Sequence, residues 1–231
     1  MPHTGRPVTG GDRAGHPAAA PYPGGMTSRP APAELAAVLR ALPPSLGPVR
    51  LVAVDGHAGS GKTTFAARLA AALDDAPVVH LDDLATHREP FGWVGRLREQ
   101  VLGPLGRGEA AEHRVYDWTA RRFSGTRRVE PAPVVLVEGV GAGRAELRPH
   151  LAALVWMELD ADAASARGLL RDGPGLADFW QGWIRAERAH FAADPSRPHA
   201  GIRVDGVTGR ILRCTVSETS TPLLTWDVAG N

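Results

Sequence analysis

Lysine and cysteine are almost absent from this chain of 231 residues, which contains one of each, Lys62 and Cys214. A single cysteine excludes an internal disulfide and a cysteine-based metal site, and it favours a reducing compartment. No apolar run approaches the ~20 residues of a membrane span, and the N-terminus lacks the apolar core of a signal peptide. The net charge of +1 gives no strong field toward nucleic acid or an anionic membrane. We therefore expect a cytoplasmic protein with neither nucleic-acid nor membrane partners.

Large apolar side chains are scarce in residues 1–30, which are rich in Pro, Gly, Ala and Arg. Such a segment buries too little surface to offset the entropy lost on ordering, so we expect a disordered tail. The chain as a whole is 43% hydrophobic and 22% charged, as globular proteins are. Residues 31–231 are therefore expected to form one domain with a buried core.

Residues 56–63 fit the phosphate-loop (P-loop) pattern G-x-x-x-x-G-K-[ST], with an apolar strand before them and a helical pattern after them. The chain's single lysine stands at the lysine position of this pattern. Glycines allow backbone N–H groups to approach a phosphate closely, and the helix directs its positive N-terminal end at the same phosphate. The residues expected to bind the nucleotide are Gly56, His57, Ala58, Gly59, Ser60, Gly61, Lys62, Thr63 and Thr64.

Two residues of this loop have expected roles beyond backbone contact. Lys62 would place its charge on the β- and γ-phosphates, and the Thr63 hydroxyl would ligate the Mg²⁺ that bridges them. The sequence thus predicts ATP and Mg²⁺ as cofactors.

Apolar strand patterns alternate with helical patterns along the rest of the chain, which predicts a mostly parallel sheet of about five strands covered by helices on both faces. This is the three-layer α/β fold of P-loop NTPases. Strands are expected at 51–54, 77–81, 133–139, 154–159 and 202–204, with a further edge strand at 211–216.

Helices are expected at 35–42, 61–73 and 93–106, after a cap at Asp160, and from 176 onward. Residues 107–129 form a polar, basic segment without an assigned element. In the last helix we expect one face to be core, formed by Leu176, Phe179, Trp180, Trp183, Ile184 and Phe191.

Carboxylates follow two of these strands. In parallel sheets, ligands bind beyond the carboxyl ends of the strands, where Asp82, Asp83 and Glu138 are expected. Near a triphosphate, such groups hold Mg²⁺ or accept the proton of an attacking hydroxyl. Glu138 and Asp82 are therefore candidate metal ligands, and Asp82 and Asp83 are candidates for the catalytic base and the acceptor contact. Helix capping or a solvated strand end is the alternative for each.

Arginines and aromatic residues supply the remaining candidates. Arg167 and Arg171 are four residues apart, so they share one helix face, which fits either a phosphate-binding lid or a solvated basic surface. Tyr116, Trp118 and Arg121 lie in the polar segment and are expected either to contact an acceptor substrate or to pack.

The scarcity of amides excludes two other P-loop classes. Asn231 is the only asparagine, so the Asn-Lys-x-Asp box that reads guanine in Ras-like GTPases is missing. The only glutamines, Gln100 and Gln181, lack the Leu-Ser-Gly-Gly-Gln context of transporter ATPases.

The chain resembles the uridine kinase family of P-loop kinases over about residues 49–206. The resemblance rests on residues 54–64, Leu-Asp-Asp-Leu at 81–84, Val-Tyr-Asp-Trp at 115–118, 135–139, and Arg167 with Arg171-Asp172. It implies transfer of the γ-phosphoryl group of MgATP to a hydroxyl of a small molecule. By position, Asp82 would be the base, Tyr116 would lie along the ribose or base, Glu138 would be at the metal, and Arg167 and Arg171 would belong to a lid.

The sequence departs from that family on the acceptor side. The family's acidic His-Pro-Asp stretch has no match at 88–93, and Arg121 stands at or near the family's base-contacting histidine. A nucleoside acceptor, another acceptor such as pantothenate, a sugar or a sugar phosphate, and an ATP-binding regulator without an acceptor are therefore all open.

Overall fold

The computed structural model describes residues 32–216. The tail expected at 1–30 and the last fifteen residues lie outside this range. The strands are β1 Arg50–Asp55, β2 Val78–His80, β3 Ala111–Asp117, β4 Arg122–Val129, β5 Val134–Glu138, β6 Leu151–Glu158, β7 Ile202–Asp205 and β8 Ile211–Cys214.

Six of these strands form the main sheet, in the order β2-β5-β1-β6-β7-β8. The first five are parallel and β8 is antiparallel to β7, which confirms a mostly parallel sheet with an edge strand near residues 211–216. β6 begins three residues earlier than expected because Leu151 already pairs with Leu51 of β1. The sheet therefore has five parallel strands, as predicted, and a sixth at the edge.

Helices flank the sheet on both faces. They are α1 Pro32–Ala41, α2 Lys62–Ala72, α3 Leu81–Leu84, α4 Val94–Leu97, α5 Gly103–Gly106, α6 Ala161–Asp172 and α7 Ala177–Ala193, and a π-helical turn at Arg98–Leu102 joins α4 to α5. The helix expected at 93–106 thus contains a wider turn. Among residues 32–216, no helix combines the length and apolar character needed to cross a membrane.

Two apolar cores lie on the two faces of the sheet, because β1 and β5 alternate apolar side chains toward both. Val52 and Leu136 pack with α1 and α2 on one face. Leu51 and Val135 pack with α3, α4 and α5 on the other. Both strands are buried along nearly their whole length, which explains their continuous apolar sequences.

The polar segment at 107–129, to which the sequence assigned no element, contains an antiparallel hairpin of β3 and β4. Its inward positions include His113 beside Ala111, so the usual alternation of apolar and polar residues is blurred. The expected core face of α7 is only partly correct. Trp180 is buried, Leu176 is exposed, and Phe179, Trp183, Ile184 and Phe191 are half-buried.

Candidate nucleotide-binding site

The P-loop joins the central strand β1 to α2, which begins at Lys62, one residue after the expected start. Gly59 has a φ of +89°, and a Cβ built on it would lie 2.0 Å from the backbone oxygen of Ala164 in α6. Only glycine fits there without displacing the backbone. The loop is therefore packed directly beneath α6.

Asp55, the last residue of β1, connects the start of the P-loop to residues 141–143 through hydrogen bonds. Its carboxylate is fully buried and accepts hydrogen bonds from the backbone N–H groups of Gly56 (2.7 Å), Gly141 (2.9 Å) and Gly143 (2.8 Å). Burial raises the pKa of Asp55, and the hydrogen bonds oppose part of this rise. Asp55 was not among the residues predicted from the sequence, although a carboxylate placed directly before a P-loop was a visible signal.

A cavity of about 450 Å³ opens above the loop. It brings together six of the predicted side chains, namely Lys62, Thr63, Asp82, Glu138, Arg167 and Arg171, together with Ala58, Gly59, Gly61 and Thr64 of the predicted loop. Lys62 Nζ donates a hydrogen bond of 2.9 Å to the backbone oxygen of His57. Residues that are separated by more than a hundred positions in sequence thus face one space.

Three other loop residues do not line this cavity. The ring of His57 packs edge-on against Trp156 and Phe191, with centroid distances of 5.5 Å and 5.1 Å. Ser60 is buried, and Gly56 is buried at the end of the strand. Their expected contribution to nucleotide binding stays a prediction.

Glu138 lies where β5 ends and is 5% exposed. Its Oε1 accepts a hydrogen bond from Thr63 Oγ1 (3.2 Å) and lies 2.6 Å from His80 Nδ1. The hydrogen bond between His80 and Glu138 raises the pKa of His80. His80 was not among the residues predicted from the sequence, because it lies within a strand and belongs to no recognised motif.

Asp82 lies in α3, directly after β2. Its side chain is exposed to the cavity, but many protein atoms lie around it. The pKa of Asp82 is raised, chiefly because these atoms exclude water and secondly because the Glu138 carboxylate is near. Lys62 opposes the rise. A carboxyl with a raised pKa is a stronger base when ionised, which suits a group that accepts a proton.

The oxygens of Thr63, Glu138 and Asp82 face the same cavity and are the hard ligands that Mg²⁺ prefers. Within residues 32–216 no three His, Cys, Asp or Glu side chains form a metal-binding group. Mg²⁺ in nucleotide sites usually takes one or two carboxylates and completes its shell with phosphates and water, so the residues present fit this ion.

The two lid candidates lie on α6, which is capped as predicted by Asp160. Arg167 Nη1 donates to the backbone oxygen of Gly206 at 3.0 Å, and Arg171 forms an ion pair of 2.6 Å with Asp172. Both side chains line the cavity. The helix ends at Asp172, and its C-cap Gly173 has a φ of +84°.

The predicted acceptor residues lie beside the cavity and do not line it. Asp83 pairs with Arg127 of the hairpin at 2.9 Å, and the Tyr116 hydroxyl is 3.0 Å from His87 Nδ1. Trp118 Nε1 donates to the backbone oxygen of Asp82 at 3.1 Å. Arg121 is exposed at the hairpin turn. The cavity wall on this side includes Trp183 of α7, which was expected from the sequence to belong to the core.

Sequence comparisons with family models and with curated proteins give no match. Solved structures do match. One is a provisionally assigned fructose transport system kinase from Silicibacter sp. TM1040, with 24% identity, coverage of 64% of this chain and 82% of the other, and a TM-score of 0.53. Another is a provisionally assigned uridine kinase from Bacillus stearothermophilus, with 20% identity, coverage of 74% and 95%, and a TM-score of 0.53.

The chain has the fold of the P-loop kinases. This confirms the fold class that the sequence predicted. In this P-loop kinase fold, the cavity above residues 56–63 lies beyond the carboxyl ends of the parallel strands, as the general rule for such sheets requires.

Proposed function

We propose that this protein is a kinase that transfers the γ-phosphoryl group of ATP to a hydroxyl of a small molecule. One observation supports it above the others: the chain's single lysine, two carboxylates and two arginines line one cavity above a P-loop. Phosphoryl transfer needs little covalent help from the protein, so positioning and charge are what such a site must supply.

The roles follow from the placement of the side chains. Lys62, Arg167 and Arg171 would bind phosphate oxygens and stabilise charge during transfer. Asp82 would take the proton of the acceptor hydroxyl. Thr63 and Glu138 would hold Mg²⁺, which when bound neutralises phosphate charge, and Asp82 is the alternative ligand in place of its role as base.

For the acceptor we propose a nucleoside or a compound with a similar flat ring. Half-buried and buried rings gather next to Asp82, with neighbouring centroids 4.8 to 6.3 Å apart, and comprise His87, Tyr116, Trp118, Phe179 and Trp183. Such a group offers faces and edges to a planar ring.

An ADP-release screen with MgATP tests the acceptor. The panel comprises nucleosides, pantothenate, sugars including fructose, and sugar phosphates. We expect turnover with a nucleoside. Turnover with only one of the other classes would identify that class as the acceptor and contradict the nucleoside proposal. ATP binding without turnover on any compound would favour a regulator.

On the acceptor that gives turnover, Lys62→Ala is expected to lower kcat by about a hundredfold or more, because a preorganised positive charge on the transferred group is lost. Arg68→Ala, on the exposed side of the same helix, is the matched control and should retain activity. Full activity in a folded Lys62→Ala protein would overturn the proposal.

A further inference from the structure

A carboxylate from α7 contacts the P-loop. Glu187 is 4% exposed, and its Oε1 lies 2.7 Å from His57 Nδ1. Its Oε2 accepts hydrogen bonds from the backbone N–H of Ala58 at 2.9 Å and from Trp183 Nε1 at 3.2 Å. One buried side chain thus binds two consecutive loop residues and a residue of its own helix.

The local environment makes this contact costly to break. Burial works to raise the pKa of Glu187, but the hydrogen bonds from His57 and Ala58, together with the charges of His57 and Lys62, lower it overall. The carboxylate is therefore ionised at neutral pH and needs its donors. If it were removed, the Ala58 N–H would lose its partner where the loop turns toward the cavity.

Glu187 is also connected to the cavity wall through Trp183. Trp183 lines the cavity next to the acceptor side, and its indole shares the Glu187 oxygen that binds Ala58. Helix α7 is also packed on the lid helix, since a Cβ built on Gly168 would lie 2.0 Å from the ring of Trp180. Helix α7 therefore contacts the P-loop through Glu187, contacts α6 through Trp180, and places Trp183 in the cavity wall.

We propose that Glu187 is a positioning residue that holds the P-loop in its phosphate-binding geometry from α7, by binding His57 and Ala58 while Trp183 binds the same carboxylate. This inference rests on the proposed kinase function. Glu187 acts through the loop and does not line the cavity.

The test is the affinity for AMP-PNP with Mg²⁺, measured by calorimetry well below the melting temperature of each variant. Glu187→Gln keeps the shape but loses the negative charge and one of the two acceptor oxygens, so the pairing with His57 is lost or requires the other tautomer of its ring, and we expect affinity to fall by about tenfold or more. Arg188→Gln changes the next residue of the same helix, whose side chain forms an exposed ion pair with Asp162, and should bind like wild type.

A second variant tests the same contact from the loop side, in case Glu187→Gln does not fold. His57→Phe retains a ring against Trp156 and Phe191 but removes the Nδ1 donor to Glu187. We expect weaker AMP-PNP binding, and a smaller further loss on adding Glu187→Gln than the single variant shows, because both changes break one contact.

The outcomes separate this inference from the proposed function. A Glu187→Gln protein that melts at a lower temperature but binds AMP-PNP as tightly as wild type would show a purely structural role and overturn the inference alone. Tighter binding would also overturn it, since the carboxylate would then merely repel phosphate. A wild-type protein that binds no AMP-PNP would overturn the proposed function, and the inference with it.

Discussion

Gly59 has no room for a side chain, because its φ is positive and α6 lies above it. Gly59→Ala should lower the free energy of unfolding by at least about 1–2 kcal/mol, through the left-handed backbone alone. It should also weaken nucleotide binding, because either the loop or α6 must move.

The control for this variant is Gly182→Ala. Gly182 lies inside α7 with open space where a Cβ would be, so alanine there should raise the free energy of unfolding by up to about 1 kcal/mol. Urea unfolding measures both. Equal stability for the two alanine variants would contradict both the left-handed backbone at Gly59 and the tight packing of α6 on the loop.

Single residues were predictable where a local pattern carries the chemistry, and missed where a distant partner does. Lys62 and Thr63 are defined by their neighbours in the P-loop pattern. Asp55, His80 and Glu187 take their roles from groups 58 to 130 positions away. Asp55 stands directly before the P-loop, which was a signal in the sequence, whereas no spacing rule connects His80 or Glu187 with its partner, so only the fold reveals those two roles.

The turn between β7 and β8 depends on one aspartate. Asp205 Oδ1 accepts hydrogen bonds from Val207 N (3.0 Å), Thr208 N (2.6 Å) and Thr208 Oγ1 (2.9 Å). The Thr208 N–H is the main cause of the lowered pKa of Asp205. A lowered pKa stabilises the fold above the ordinary pKa of aspartate, and this contribution is lost as pH falls through the folded-state pKa.

Asp205→Ala should therefore destabilise the protein at neutral pH by roughly 1 kcal/mol, as loss of a comparable cap does. Asp205→Asn retains Oδ1 and should stay close to wild type, but without the acid-dependent part of the stability. Urea titrations at neutral and acid pH measure both effects. An alanine variant as stable as wild type at neutral pH would contradict the role of this turn.

Among the elements, the parallel strands β1, β5 and β6 were predictable because they are buried along most of their length and read as short apolar runs. The β3–β4 hairpin was not. Its loop at 118–121 lacks the Asn-Gly or Asp-Gly signal of common hairpins, and Arg121 has a φ of +54° where glycine or asparagine would be expected. The half-buried rings of α7 have the spacing of a core face, which cannot distinguish core from cavity wall.

For the domain as a whole, bound nucleotide should act as a stabiliser. AMP-PNP with Mg²⁺ at a hundred times its dissociation constant adds about 2.7 kcal/mol to the free energy of unfolding. In a protein of this size that corresponds to a rise in melting temperature of roughly 5–10 °C. Thermal unfolding followed by circular dichroism measures it, and Lys62→Ala at the same concentration should show a smaller rise. No rise in wild type at millimolar AMP-PNP would mean that the cavity does not bind a triphosphate.

The strand order also bears on how the protein folds. The strand that leads into the P-loop lies between β5 and β6, with Arg50 paired to Val134 and Leu51 to Leu151. Neither neighbour exists when a ribosome has just produced the loop, and closing such long loops is slow. We therefore expect β1 not to have both of its partner strands until β6, which ends at Glu158, has been synthesised, and the geometry of residues 56–63 to form late in folding.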